Sequence, residues 1–259
     1  MQGSAMRKSL VLALAFAVTV GTVGIVGPAS AENIQSINGK VRPKRLPKRG
    51  KRRNVAVTVN VSTTNPANPY AVPSPTTLAK VDFDKDIRIQ NRGLATCNPA
   101  RFTSATTTSQ AKSLCRRSQV GHGSSTIAVP TGPSTPPLFV NAVVTAFNAK
   151  RRSLVLHTYN SLSGATTLIG TIRRDRDAGR KYRSTLTVPV PPLAGGTAVI
   201  AQFRAKVKKS YRHRHKRRYL ISARCRGRRI LFQARFTYKD GTSDTARDKA
   251  RCKPKRRHR

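Results

Sequence analysis

Period-two alternation is the feature that most restricts what this chain can fold into. Val55, Val57, Val59 and Val61 alternate with Ala56, Thr58 and Asn60, while Val199, Ala201, Phe203, Ala205 and Val207 alternate with Gln202, Arg204, Lys206 and Lys208. Successive side chains of a strand point to opposite faces, so both stretches read as half-buried strands. Leu78–Ile89, Gln119–Val129, Phe139–Asn148, Ser153–Tyr159, Thr166–Arg173, Tyr182–Val190 and Ile230–Tyr238 read the same way, and Tyr219, Ile221, Ala223 and Cys225 extend the pattern. Turn signals punctuate them: Asn91-Arg92-Gly93, the crossover Pro191–Gly196, and Asp240-Gly241, a hairpin dipeptide. Ser109–Arg117 is the one convincing helix, with Ser109 as its cap and Ala111, Leu114 and Cys115 on one face. The expected fold is mainly β: an antiparallel β-sandwich, or barrel-like, with one short helix. Strands and helices do not alternate as a Rossmann fold or TIM barrel requires.

Charge restricts function. Lysine and arginine number 51 against nine carboxylates, giving a net charge of +42. So few acids make a paired-carboxylate hydrolase a poor candidate. The first 31 residues have the layout of a signal peptide: Arg7 and Lys8, an uncharged run from Leu10 to Val26, and Ala29-Ser30-Ala31 as a cleavage site. The run is short for a membrane span, no cysteine at the cleavage site signals a lipid anchor, and no later segment is apolar enough to cross a bilayer. The expected setting is secreted or cell-surface associated, with no membrane span after cleavage. Residues 32–53 follow as a basic arm, where nine of the fourteen residues from Lys40 to Arg53 are cationic and two are proline. Like charges repel and proline interrupts regular structure, so the arm is expected to be disordered. A single β-rich domain then spans 54–252, with a candidate lobe boundary in the Pro/Gly/Ser stretch 130–137, and a basic tail covers 253–259.

Four cysteines, Cys97, Cys115, Cys225 and Cys252, allow three pairings. The local pairs Cys97–Cys115 and Cys225–Cys252 are favoured because each closes a short loop. An even cysteine count agrees with export. No C-x-x-C spacing points to zinc.

Lys208, Lys209, Arg212, Arg214, Lys216, Arg217 and Arg218 form a dense cationic loop, followed by Arg224, Arg226, Arg228 and Arg229. Flexible cationic elements on a rigid scaffold attract polyanions by counterion release. The alternatives are charge-driven adhesion and a merely solubilising surface. His213 and His215 would share a strand face, but their neighbours are cations, which disfavours a metal ion. Asp82, Asp84 and Asp86 resemble the start of a calcium loop, yet Ile87 replaces the expected glycine and the twelfth position lacks Glu. Asp84 and Asp86 are instead expected to shape a turn or to pair with Arg88 and Arg92. Asp175 and Asp177 balance the arginines around them. No nucleophile elbow, zinc-protease motif or phosphate loop is present, and His122 and His157 read as structural. No catalytic, cofactor or metal residues are therefore assigned.

Val81–Asp86, Gly93–Pro99, Thr106-Thr107-Thr108 leading to Cys115, Val120-Gly121 and Pro191–Gly196 resemble a family of uncharacterised secreted proteins from high-GC Gram-positive bacteria. The resemblance covers most of 54–252 and implies a β-rich exported domain, with no established activity. The Arg/His loop at 209–217 is unusual for that pattern. The expected function is a non-enzymatic exported domain that associates with an anionic polymer: teichoic-type phosphate, acidic polysaccharide or nucleic acid, without sequence specificity. The alternatives are a secreted enzyme with an unrecognised site and a structural or adhesive envelope protein.

Overall fold

The computed structural model describes residues 34–65, 72–132, 135–174 and 179–255. The stretch expected to be a signal peptide, the pair Asp175 and Asp177, and the last four tail residues lie outside the described residues. In chain order the first strands are β1 (Ile34–Arg42), β2 (Arg45–Pro47), β3 (Arg53–Asn54), β4 (Ala56–Thr64), β5 (Thr76–Asp84) and β6 (Ile87–Ile89). After helix α1 (Thr108–Leu114) come β7 (Gln119–Val129), β8 (Leu138–Ala149), β9 (Ser153–Asn160), β10 (Gly164–Arg173) and β11 (Tyr182–Pro189). β12 (Val199–Val207), β13 (Ser210–His213), β14 (Lys216–Tyr219), β15 (Ile221–Ala223), β16 (Arg229–Tyr238), β17 (Ser243–Arg251) and β18 (Lys253–Lys255) complete the set.

Eleven of these strands form one antiparallel sheet in the order β1-β4-β12-β7-β8-β9-β10-β11-β5-β16-β17, curled nearly into a closed barrel. The barrel form of the expected β fold is the one present. The alternation sets its register. Val57, Val59 and Val61 of β4 stand opposite Val207, Ala205 and Phe203 of β12, and all six line the interior. Ile230, Phe232, Ala234, Phe236 and Tyr238 of β16 are buried in the same way. The eleventh junction, between β1 and β17, is made by side chains: Asp244 accepts the Gln35 N–H at 3.1 Å and Asp248 accepts the Gly39 N–H at 2.7 Å. Gly39 is required here, because a Cβ would overlap the Phe232 ring.

β1 corrects the expected disordered arm. Gln35, Ile37, Gly39 and Val41 are buried, while Lys40 and Arg42 point outward, so the cations do not prevent nine-residue pairing with β4. The tail is likewise tied down at its start, where β18 pairs in parallel with β2. The stretch 130–137 is no lobe boundary, since it joins β7 and β8, which pair directly. The compact unit runs from Ala31 to Arg259.

One end of the barrel is plugged. The small sheet β3-β15-β6 crosses it. Leu46, Val55, Ile87, Leu220 and Ile221 are all buried there. Both disulfides have the expected local pairing, and Cys225–Cys252 ties β18 to this plug. Above the plug lies a lumen of about 140 Å³ in which Thr63 and Thr76 are the only polar residues among those described. An empty cavity of that size forgoes about 3 kcal/mol relative to a filled core. The helix packs outside, on β8 and β9. Its cap is Thr107, not Ser109: Thr107 Oγ1 accepts the Gln110 N–H while Gln110 Oε1 accepts the Thr107 N–H.

Candidate functional site: the cationic base of the barrel

Antiparallel connectors emerge alternately at the two ends. The plugged end, here called the base, receives 43–55, 85–118, 150–152, 174, 179–181 and 208–228, described residues that together hold 30 lysines and arginines and one aspartate. The opposite end, the mouth, receives 65, 72–75, 130–132, 135–137, 161–163, 190–198 and 239–242, and among these described residues only Lys239 and Asp240 are charged. Seven of the chain's 16 prolines lie among these described mouth residues.

The predicted cationic loop is the hairpin β13–β14 at the base. Arg214 and His215 occupy its turn at φ 50° and 60°, the conformation of a type I′ turn. Tyr211 anchors it by donating its hydroxyl to Gln90 O at 3.2 Å and Arg92 O at 2.9 Å. The His213 ring lies against Gly93, where a Cβ would collide with it, while His215 is exposed in the turn. The two histidines therefore do not form the shared face expected of them. Lys208, Arg212, Arg214, Lys216, Arg217 and Arg218 are exposed and Lys209 is half-buried; Arg217 also stacks over Tyr219 at 5.8 Å.

A second cluster escaped the sequence reading. Arg88, Arg92, Lys150, Arg151, Arg152 and Arg183 converge on a groove of about 630 Å³ with no carboxylate in its lining. Asn148, fully buried, builds it: its Oδ1 accepts from Asn91 Nδ2 at 2.8 Å and its Nδ2 donates to Ala95 O at 2.9 Å. The backbone of Asn148 also accepts the Cys97 N–H at 2.7 Å. These bonds and the Cys97–Cys115 disulfide hold the 91–97 loop against β8. A smaller groove of about 330 Å³ joins Arg116, His122, Lys206, Lys208 and Lys209. No single stretch of sequence contains either cluster, and no local pattern marks them.

The carboxylates do not neutralise this surface, because the described ones are engaged internally. Asp82, with no exposed area, accepts from Arg235 at 3.2 Å and from Gln233 at 3.1 Å, and also from Thr185. Asp84 accepts the N–H groups of Asp86 and Leu231 at 2.7 and 2.9 Å, and burial pushes its carboxyl up from the ordinary value. Asp86 pairs with Arg224 at 2.8 Å and Arg226 at 3.0 Å. The turn expected of Asp84 is present, but the partners of Asp86 are these arginines rather than Arg88 and Arg92. Asp244 and Asp248 hold the barrel junction, and Asp240 accepts the N–H and hydroxyl of Thr242. The crowding is felt by Arg52, whose guanidinium is pushed below its usual value by burial first and then by Arg224, Arg183 and Arg88.

His157 is fully buried, bonds Thr106 O at 3.0 Å, and sits edge-on to Phe102 at 5.0 Å between ring centroids. Burial lowers its pKa, so it stays neutral as a packing residue. Among the described residues no group of three or more His, Cys, Asp or Glu is placed to hold a metal ion. Among them, too, no helix is long and apolar enough to cross a membrane. The two disulfides point to an oxidising environment. No family model matches this chain, and no curated protein or solved structure matches it.

Proposed function

We propose that this is an exported, non-enzymatic domain that docks, base first, onto anionic polymers. The groove of six cations carries the reading, since its lining offers an anion several guanidinium forks and no competing carboxylate. Backbone conformation adds support. Arg151, Arg152, Arg214 and Arg228 hold φ between 50° and 62°, where glycine is the relaxed choice, and keep cations there at a conformational cost. The exported setting rests on the leader-like first 31 residues and on the resemblance to secreted proteins. Tyr211 and Tyr219 are the only aromatics of the hairpin and both are half-buried, so bases have little to stack on and sequence is not read.

The test is titration of the unit from Ala31 onward with teichoic acid, heparin, single-stranded DNA and a neutral glycan at several salt concentrations. With about six to eight phosphates engaged on single strands, the log–log slope is about −4 to −6. The three polyanions bind with little preference and the neutral glycan does not bind. Absence of polyanion binding would sink the reading, and one polymer selected even at high salt would replace it with a shape-selective site.

A further inference from the structure

At the base the lumen is lined by Ile89, Leu220 and Ile221, and at its other end by Thr63, Thr76, Val190 and Ile200. There it meets a second cavity of about 200 Å³, and the two share Thr76, Val190 and Ile200 in their linings. The second cavity is walled by Pro75, Pro191, Pro192 and Leu193, and with the lumen it offers adjoining apolar space. A dry apolar cavity near 150 Å³ accepts a benzene-sized guest without first expelling ordered water. Lys239 is the only charged residue in either lining among those described. Its backbone is fixed by the bond from its N–H to Pro75 O at 2.8 Å. Its ammonium lies over Gly196, 3.6 Å from the place a Cβ would occupy, and Gly195 beside it faces open space. The neighbouring Asp240 is turned to Thr242 and is absent from the lining.

One cation beside adjoining apolar space is complementary to an apolar chain with one anionic head. We infer that the barrel binds a medium-chain alkyl carboxylate or alkyl phosphate, tail in the lumen and head at Lys239. This site is separate from the base and does not rest on polyanion binding there. Val57, Val59, Val61 and Thr63 line the lumen along about 20 Å of strand, which sets an upper limit on tail length.

The experiment is calorimetric titration of the unit Ala31–Arg259 with octanoate, decanoate, octyl phosphate, 1-octanol and octylammonium. The titrations run at about 0.15 M salt, where a Debye length of about 8 Å leaves the Lys239 contact in place, and one-to-one stoichiometry together with the tail-less anions acetate and inorganic phosphate separates the lumen from the base. Expected are one-to-one binding of the anions and at least tenfold weaker binding of octanol and octylammonium, with no displacement by acetate or inorganic phosphate. Ala205→Leu fills the lumen and removes binding, with near-ultraviolet circular dichroism reporting that the barrel is intact. Lys239→Glu, at the exposed mouth, leaves octanol binding in place and abolishes the preference for anions. No binding of any probe overturns the inference, as does binding that survives both substitutions. Equal affinity for octanol and octanoate overturns the head-group assignment to Lys239.

Discussion

The connectors at the base and those at the mouth join the same eleven strands, yet among the described residues the first set holds 30 lysines and arginines and the second holds one lysine. The base is held by covalent and ionic ties: two disulfides, the Asp86–Arg224 and Asp86–Arg226 pairs, and a buried Asn148. At the mouth, proline and short hydrogen-bonded turns hold the chain with almost no charge. Self-repulsion explains the difference. A cationic surface stays compact only where cross-links and internal carboxylates oppose the repulsion, whereas a neutral rim needs no such reinforcement.

The largest test removes the covalent tie. Replacing Cys225 and Cys252 by serine is expected to lower stability by about 3.5 kcal/mol in urea denaturation, and to do so more at low salt than at high. A loss independent of salt would mean that the bridge does not oppose charge repulsion. Next, Asp82→Ala removes the buried acceptor of Thr185 and Gln233 and one carboxylate of Arg235, and is expected to cost about 3 kcal/mol, read from the same unfolding curves. If Asp82→Ala were neutral, the internal carboxylates would not be what holds the base.

Binding separates the ends further. Changing Arg88, Arg151 and Arg152 together to glutamine should make the polyanion salt slope shallower by about 2 and leave stability within about 0.5 kcal/mol. Arg212, Arg214, Lys216 and Arg217 changed to glutamine should shift the slope by about 3, while Lys239→Gln at the mouth should not move it. Equal shifts from base and mouth would erase the distinction. Arg151→Gly and Arg152→Gly should hold or raise the melting temperature while weakening binding, since glycine relieves the positive φ.

The smallest effect is in pH, and its sign differs between the ends. Burial raises Asp84 at the base, so its native form holds its proton more tightly than the unfolded chain does. Stability of the wild type relative to Asp84→Asn should therefore rise as pH falls from neutral through the raised pKa. Bonds from Thr242 lower Asp240 at the mouth, so its contribution is present above the unfolded carboxylate pKa. The advantage over Asp240→Asn should fade as pH drops through the lowered value. Parallel pH profiles for the two variants would contradict these assignments.

Much of the barrel was legible because β4, β12 and β16 turn alternate apolar residues inward, which a period of two exposes. β1 and β17 were not, for a physical reason. The buried positions of β1 (Gln35, Ile37, Gly39 and Val41) are interleaved with cations, and β17 meets it with Asp244 and Asp248, carboxylates that accept backbone N–H groups instead of filling a core. The hairpin was legible as a run of charge. The groove was not, because Arg88, Lys150 and Arg183 are brought together only when β6, the β8–β9 turn and β11 reach the same end. The lumen was equally hidden, since a side chain that lines a cavity and one that fills a core have the same period.

The β1–β17 junction also governs when the molecule is finished. Gln35 and Asp244 are 209 residues apart, so no partial chain contains both sides of the closure. Until the last strand arrives, β1 has one unpaired edge and the apolar lumen lies open along its length, a surface that invites pairing with other chains. Contacts of such long sequence separation form slowly. A chain that emerges from its first residue onward would thus remain an unsealed sheet until its last strand is out. Ring closure would be among the final events of its maturation.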